Sequence, residues 1–421
     1  MEDKKSDKIL PAMQNPTTPS MENPASENRV TNHIPRDLHF SVLSNLPFKS
    51  VNRFSSVHRS WYHLHENPAF LNMFLASESH YNDHPDVKLL FNTNMTLSPR
   101  LYLCSGEHFK IESELEMEFP SSFLNKNLSI LGSAIHGVIC LYEVSNQNNV
   151  IVWNPVNGQK HVLPTNHAEN CISNVLVHGF GYDHVHQDFK VIQYVVNNGV
   201  KCLGSRDQSN SFWQVYSLVN NKHTKIEVAF SVPFLHYKPY DGMEVYLDNV
   251  CYWLGRISED DQLYLVSFNL AKNKFLTNTP LDNKWVRYYD EYDFDVTELF
   301  LKLVVIHGSV AMIIQHTDPF SFSIYILGEI GMKETWTKLV NVSPLPSMKD
   351  SIAAGKKGVI FFKAYEKDGK VACYDLTTGA VEELNFGAGK NIRQIVLYKE
   401  SDRSLSEKRK NTCLLEESSQ S

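Results

Sequence analysis

The chain has 421 residues, a formal net charge of −7 and a sequence pI of about 6.2, with 42% hydrophobic and 21% charged residues. This is the balance of an ordinary soluble chain of two or three domains, and its mild acidity supplies no field to draw in nucleic acid or anionic lipid. Neither a nucleic-acid partner nor a membrane partner is expected.

The seven cysteines, Cys104, Cys140, Cys171, Cys202, Cys251, Cys373 and Cys413, are odd in number, far apart and without a C-x-x-C pair. They exclude a disulfide framework and a zinc site; four of them, Cys104, Cys140, Cys251 and Cys373, lie in apolar strand-like runs where a thiol behaves as a small hydrophobe. The first residues, MEDKKSDKIL, are charged with no apolar run after them, and no stretch of 18 apolar residues follows anywhere. A reducing compartment is expected: cytosol, nucleus or both.

In chain order, residues 1–30 are rich in Pro, Ser, Asn and charge and read as a disordered leader. Residues 31–79 form a small helical module. Pro35 suits a first helical turn, where its missing N–H needs no partner. Leu38, Val42 and Leu43 are read on one face of that first helix, which Leu46-Pro47 closes. A second short helix spaces Val51 and Phe54 by three residues, a third carries Val57 and Trp61 at i, i+4, and Asn67-Pro68 opens a fourth with Phe70, Leu71, Phe74 and Leu75 inward. A unit of roughly 45 residues is near the lower limit for an independent core. It carries more apolar side chains than it can bury, so some are expected to meet another protein.

The stretch resembles an F-box, and the chain as a whole resembles a plant F-box protein with a C-terminal F-box-associated, kelch-like interaction domain. The matching elements are Ile34-Pro35-Arg36-Asp37-Leu38, Leu43, Leu46-Pro47-Phe48-Lys49-Ser50-Val51, Arg53-Phe54, Val57, Arg59-Ser60-Trp61 and Asn67-Pro68-Ala69-Phe70. The sequence departs at Ile34, where Leu is usual, at Ser41-Val42, and at His58. The resemblance implies docking on a Skp-type adaptor, through it a cullin scaffold, and presentation of a target protein for ubiquitination. By match to the motif, the adaptor-facing residues are Ile34, Pro35, Leu38, Leu43, Leu46, Pro47, Val51, Phe54, Val57 and Trp61.

After a polar bridge, His80–Asp86, the chain turns from Val87 into short β-rich runs separated by Gly, Asn, Asp and Pro. A loose unit recurs, clearest in Gly137–Tyr142, Val150–Pro155 and His161–Pro164. Its aromatic marks are Tyr102, Trp153, Tyr216, Phe268, Tyr325 and Tyr374, at gaps of 51, 63, 52, 57 and 49 residues. Spacing close to 50 residues predicts an all-β, kelch-like β-propeller of about six blades over residues 87–400. Ile392–Tyr398 is placed to pair into the first blade and close the ring. Residues 401–421 read as a disordered tail, its Lys408-Arg409-Lys410 too short a basic run to count as an import signal.

Chemical motifs are sparse. Gly179-Phe180-Gly181-Tyr182-Asp183 holds a G-x-G but no third glycine or following helix; it reads as a β-turn between blade strands, not a dinucleotide site. His184 and His186 have no evident third ligand and read as a solvent-facing turn, so no metal is expected. The acidic run Asp290–Asp295 beside Trp285, Tyr288 and Tyr289 has the residue types of glycan hydrolysis, yet nothing sets a separation between two carboxyl groups. It reads as an exposed loop. No catalytic residue and no cofactor-binding residue is expected. The insertions Asn197–Ser211, Ile257–Gln262 and Asn283–Asp295 are the candidates for target contact. Two other readings stand beside the ligase receptor: a carbohydrate-binding or glycan-hydrolysing propeller with a helical cap, and a non-ligase scaffold that uses the same adaptor.

Overall fold

In the computed structural model, most of residues 36–74 and 87–405 are described. Outside the description lie residues 1–35, 75–86 and 406–421, Pro47, several residues between 63 and 72, and most of the longer connections between strands. The leader, Ile34, Pro35, Leu71, Leu75, the Lys408–Lys410 run and the acidic run at 290–295 fall among these.

Two helices open the described chain, α1 (Arg36–Ser44) and α2 (Phe48–Ser55), followed by a single 3-10 turn at Arg59–Trp61. The third α-helix expected over Val57 and Trp61 is replaced by this turn. Antiparallel strands follow. The first group is β1 (Val87–Thr93), β2 (Arg100–Ser105) and β3 (Lys110–Leu115). The second sheet holds β4 (Leu128–Ile130), β5 (Ile139–Glu143), β6 (Val150–Trp153) and β7 (Lys160–Val162). The third holds β8 (Ile172–Asp183), β9 (Asp188–Asn198), β10 (Phe212–Ser217) and β11 (Lys222–Ile226). The fourth holds β12 (Glu244–Leu247), β13 (Val250–Arg256), β14 (Leu263–Asn269) and β15 (Lys274–Pro280). The fifth holds β16 (Phe300–Ile306), β17 (Ser309–Thr317), β18 (Phe320–Leu327) and β19 (Trp336–Val342). The sixth holds β20 (Met348–Ala354), β21 (Val359–Ala364), β22 (Val371–Asp375) and β23 (Val381–Leu384). The last strand, β24 (Ile392–Lys399), returns to pair antiparallel with β1, from Val87 opposite Lys399 to Thr93 opposite Ile392, and makes the first group four-stranded.

The result is a β-propeller. Its first-in-sheet strands β8, β12, β16, β20 and β24 lie against one another in turn around a narrow channel lined by Glu244, Lys302, Val304 and Gln394. The six aromatic marks all fall on the third strand of a sheet: Tyr102 on β2, Trp153 on β6, Tyr216 on β10, Phe268 on β14, Tyr325 on β18 and Tyr374 on β22. Cys104, Cys140, Cys251 and Cys373 are buried free thiols within strands.

The chain does not leave the fold at 401, where the tail was expected to begin. Residues 401–405 form a strap across the second and third sheets. Asn154 Nδ2 donates to the carbonyls of Ser401 and Arg403, both at 2.9 Å, and Leu405 N–H donates to Gln159 Oε1 at 2.9 Å. Leu405 is buried in the apolar cluster between those sheets. These backbone bonds and this buried side chain hold a segment whose polar composition alone reads as disordered.

The Gly179–Asp183 stretch is also not a turn. It is the end of β8, and the turn comes after it, at 184–187. Its glycines serve close approach: a Cβ on Gly181 would run into Leu270 of the fourth sheet, and one on Gly179 would lie 2.9 Å from Ile192 Cδ1 on the neighbouring strand β9 and 3.0 Å from Cys251 Cβ of the fourth sheet. At the same seam Lys190 Nζ donates to Asp183 Oδ2 at 2.8 Å, to the Leu270 carbonyl at 2.8 Å and to Asn273 Oδ1 at 2.9 Å. Burial alone would raise the Asp183 pKa, but the bond and charge of Lys190 and the bonds from His186 overcome it and hold the carboxyl below its usual range.

Strand alternation sorts the connections onto two faces. One face carries tight hairpin turns such as Asp248-Asn249 and His307-Gly308, where both residues adopt positive φ (48° and 66°; 48° and 65°) as two-residue hairpins require. The other carries the connections at 199–211, 227–243, 257–262 and 281–299. The three insertions singled out in the sequence therefore leave from one face of the ring.

Candidate functional site

The N-terminal module has two apolar sides, and the structure decides which is inward. Phe40, Leu43 and Ser44 are buried on α1, while Leu38 and Val42 stand 55% and 64% exposed on its other side. The expected grouping of Leu38 and Val42 with Leu43 is corrected accordingly: the i, i+4 pair Leu38/Val42 faces out, and Leu43 is turned against the core. On α2, Val51 is buried and Phe54 is 40% exposed; Val57 beyond it is 70% exposed. Leu46 and Trp61 are half-buried and packed against the core. Of the ten residues expected to face an adaptor, Leu38, Phe54 and Val57 are thus open, Leu46 and Trp61 are shared, and Leu43 and Val51 are enclosed. Ile34, Pro35 and Pro47 lie outside the described residues.

The local chemistry sets these positions. Asn45 Nδ2 and Ser44 Oγ donate to the Ser41 carbonyl at 2.6 and 3.2 Å and finish α1, and Ser56 Oγ donates to the Arg53 carbonyl at 2.7 Å to finish α2. Asn67 caps the next helical turn, its Oδ1 accepting from Ala69 N–H at 3.0 Å and Phe70 N–H at 3.3 Å. Trp61 is the hub of the outer side, with His39, His58 and Phe54 rings at 5.5, 5.4 and 6.2 Å.

The inner side is completed by the propeller. Phe40, Leu43, Val51, Leu64, Phe70 and Phe74 share one apolar cluster with Ile306, Ile313, Phe322 and Ile324 of the fifth sheet and with Ile360 and Phe362 of the sixth. Phe70 stacks on Phe74, and the Phe74 ring lies 4.6 Å from the ring of His307 in the tight β16–β17 turn. The module therefore sits on the face opposite the long connections. Three exposed apolar residues were missed as candidates: Val42, Tyr62 (62%) and Met73 (37%). Spacing four residues from Leu38 was the signal available for Val42; none marks the other two.

Of the eleven large apolar side chains exposed among the described residues, six belong to residues 36–74: Leu38, Val42, Phe54, Val57, Tyr62 and Met73. Single exposed apolar side chains are common, but this concentration within one short module is the mark of a docking surface. Exposed Arg53, His58 and Arg59 lie along the same segment. Among the described residues no group of three or more His, Cys, Asp or Glu side chains is arranged to hold a metal. His184 and His186 occupy the β8–β9 turn, where His186 Nδ1 pairs with Asp183 Oδ2 at 2.7 Å.

Two sequence families match the chain. Residues 32–70 match the F-box domain, and residues 88–404 match the F-box associated beta propeller domain. The chain is similar to the Arabidopsis thaliana F-box protein At3g16210, at 25% identity over 244 residues that cover 58% of this chain and 59% of that one. It is also similar to the Arabidopsis thaliana F-box protein CPR1, at 24% identity over 335 residues, 75% of this chain and 74% of that one. Among solved structures, the Kuenenia stuttgartiensis hydrazine synthase covers 77% of this chain and 48% of its own at 10% identity and a TM-score of 0.42, too distant to bear on function. With a helical module at one end, a β-propeller after it, and a family match over each, the chain belongs to the plant F-box proteins that carry a C-terminal F-box-associated propeller domain.

Proposed function

We propose that this chain is the substrate-recognition subunit of a Skp–cullin–F-box ubiquitin ligase. The observation that carries the reading is the outer surface of residues 36–74, where Leu38, Val42, Phe54, Val57 and Tyr62 stand in solvent while the inner side is spent on the propeller. In this reading that surface docks on a Skp-type adaptor, which joins a cullin scaffold. The propeller, whose six sheets we count as six kelch-like blades, holds the target on the face of the long connections at 199–211, 257–262 and 281–299. The chain itself does no chemistry. It acts by proximity, raising the effective concentration of target lysines near the activated ubiquitin, in the cytosol, the nucleus or both.

The test is affinity purification with mass spectrometry on the intact chain and on a form lacking residues 32–75. A Skp-type adaptor and a cullin recovered only with the intact chain support the reading, and proteins retained by both forms are target candidates. An adaptor recovered equally with both forms overturns it; an adaptor recovered without a cullin leads to the non-ligase scaffold instead. The glycan reading rested on residues 290–295, which lie outside the described residues, and nothing in the described site favours it.

A further inference from the structure

α1 and α2 are only nine and eight residues long, and a single 3-10 turn follows them. Helices this short do not persist alone in water, because nucleating a first turn is unfavourable and few bonds follow to offset it. Their order comes from packing. Every buried apolar side chain described in the module, Phe40, Leu43, Val51, Leu64, Phe70 and Phe74, falls in the cluster that runs into the fifth and sixth sheets. α2 itself lies against β18.

A line of rings joins the two parts. The His307 ring in the β16–β17 turn meets Phe74 at 4.6 Å, Phe74 stacks on Phe70 at 6.1 Å, and Phe70 meets Phe40 edge-to-face at 5.6 Å. Phe40 is on the buried side of α1, and Leu38 and Val42 are on its exposed side. What seats Phe74 on the propeller therefore also sets how α1 presents the adaptor surface.

We propose that the propeller gates this surface: α1 and α2 take their docking form only while seated on the fifth and sixth sheets, so a chain whose propeller has opened there is withheld from the adaptor. The inference rests on the ligase reading above and adds a regulation to it. An unseated module leaves only a fraction of chains competent, and the apparent affinity falls by that fraction. Linkage makes the effect reciprocal, so an adaptor that binds only the seated form stabilises those two sheets. The consequence is a check on the receptor: only a chain whose ring is intact at these sheets enters the complex.

The test uses full-length chains. His307→Asn removes the ring that meets Phe74 from the propeller side, and an asparagine before Gly308 suits the positive φ of this turn (48° and 65°), so the fifth sheet keeps its hairpin. Phe74→Ala breaks the same contact from the module side. Neither alters an exposed residue of the adaptor surface. Hydrogen exchange read by mass spectrometry should quicken across α1 and α2 by about threefold in His307→Asn and at least tenfold in Phe74→Ala, with the fourth sheet unchanged. The double variant should quicken no further than Phe74→Ala, because both changes remove one contact. A Skp-type adaptor, titrated calorimetrically, should bind the parent chain most tightly, His307→Asn less and Phe74→Ala least. It should also raise the Tm of the parent chain most. Exchange that quickens in Phe74→Ala but not in His307→Asn places the fault inside the module and overturns the proposal. So does an adaptor that binds all forms equally, which leaves the ligase reading standing. An adaptor that fails to bind the parent chain overturns that reading and the gate together, whatever the exchange shows.

Discussion

Gln394 on the closing strand and Ile130 on β4 exchange a reciprocal pair of hydrogen bonds: Gln394 Oε1 accepts from Ile130 N–H at 2.8 Å, and Gln394 Nε2 donates to the Ile130 carbonyl at 3.0 Å. The same Oε1 accepts from Ser129 Oγ at 3.1 Å. A side-chain amide thus stands in for a strand at the seam between the first and second sheets, 264 residues apart in the chain. Gln394→Leu takes away the amide to which the buried Ile130 N–H and carbonyl bond. It is expected to destabilise the propeller by about 1–3 kcal/mol, read as a lower urea midpoint with an unchanged m-value.

The two sides of α1 give opposite outcomes. Leu38→Asp with Val42→Asp alters only exposed positions, so stability should move by no more than about 0.5 kcal/mol while recovery of the Skp-type adaptor falls at least tenfold. Leu43→Ala empties a buried position and should lower stability by about 2–5 kcal/mol, seen first as a fall in Tm. Adaptor recovery unchanged in the double aspartate variant would remove this surface from consideration.

Gly181→Ala places a methyl group against Leu270 and Tyr246 across the third and fourth sheets. Overpacking there is expected to lower stability by about 1–3 kcal/mol by chemical unfolding. A neutral result would mean that the seam relaxes freely.

Lys190→Met leaves the fully enclosed Asp183 carboxylate with the His186 ring and the Val185 and His186 N–H groups but without its buried cation, and should destabilise the chain by about 3–5 kcal/mol. Adding Asp183→Asn removes the buried charge that has lost its cation and should return much of that loss. A double-mutant cycle measured by urea unfolding separates the pair from its surroundings.

Mild acid should weaken the fold through its buried histidines. His161 and His223 are pushed below the ordinary histidine value chiefly by burial. Between that ordinary value, about 6.5, and their lowered folded values, the unfolded chain binds more protons, so stability falls as pH drops through this window. Asp183 adds a second loss at lower pH, because its depressed folded pKa lends stability above the usual carboxylate range that disappears as it protonates. Tm measured from pH 7.5 to 5 should decline, and the decline should be shallower in His161→Gln.

The repeat was readable because its signal is local. An aromatic in a strand between two hairpins recurs at Tyr102, Trp153, Tyr216, Phe268, Tyr325 and Tyr374, and each proved to be on a third strand. Pairing of Ile392–Tyr398 into the first sheet followed from the same pattern. The Gly179–Asp183 stretch misled because glycine signals a turn and a close approach alike; the approaching Leu270 comes from the next sheet, which no local window contains.

In the N-terminal module, the residues themselves determined that a short helical unit holds a surplus of apolar side chains, since composition and spacing are properties of the segment. Which of them stay open was decided by the tertiary structure. α1 has apolar residues on both sides, Phe40 and Leu43 against Leu38 and Val42, and a nine-residue helix has no periodicity strong enough to choose between them. Packing of the fifth and sixth sheets makes the choice, as Gln159, Asn154 and Tyr182 do for the strap, because burial depends on what a distant stretch of chain brings into contact.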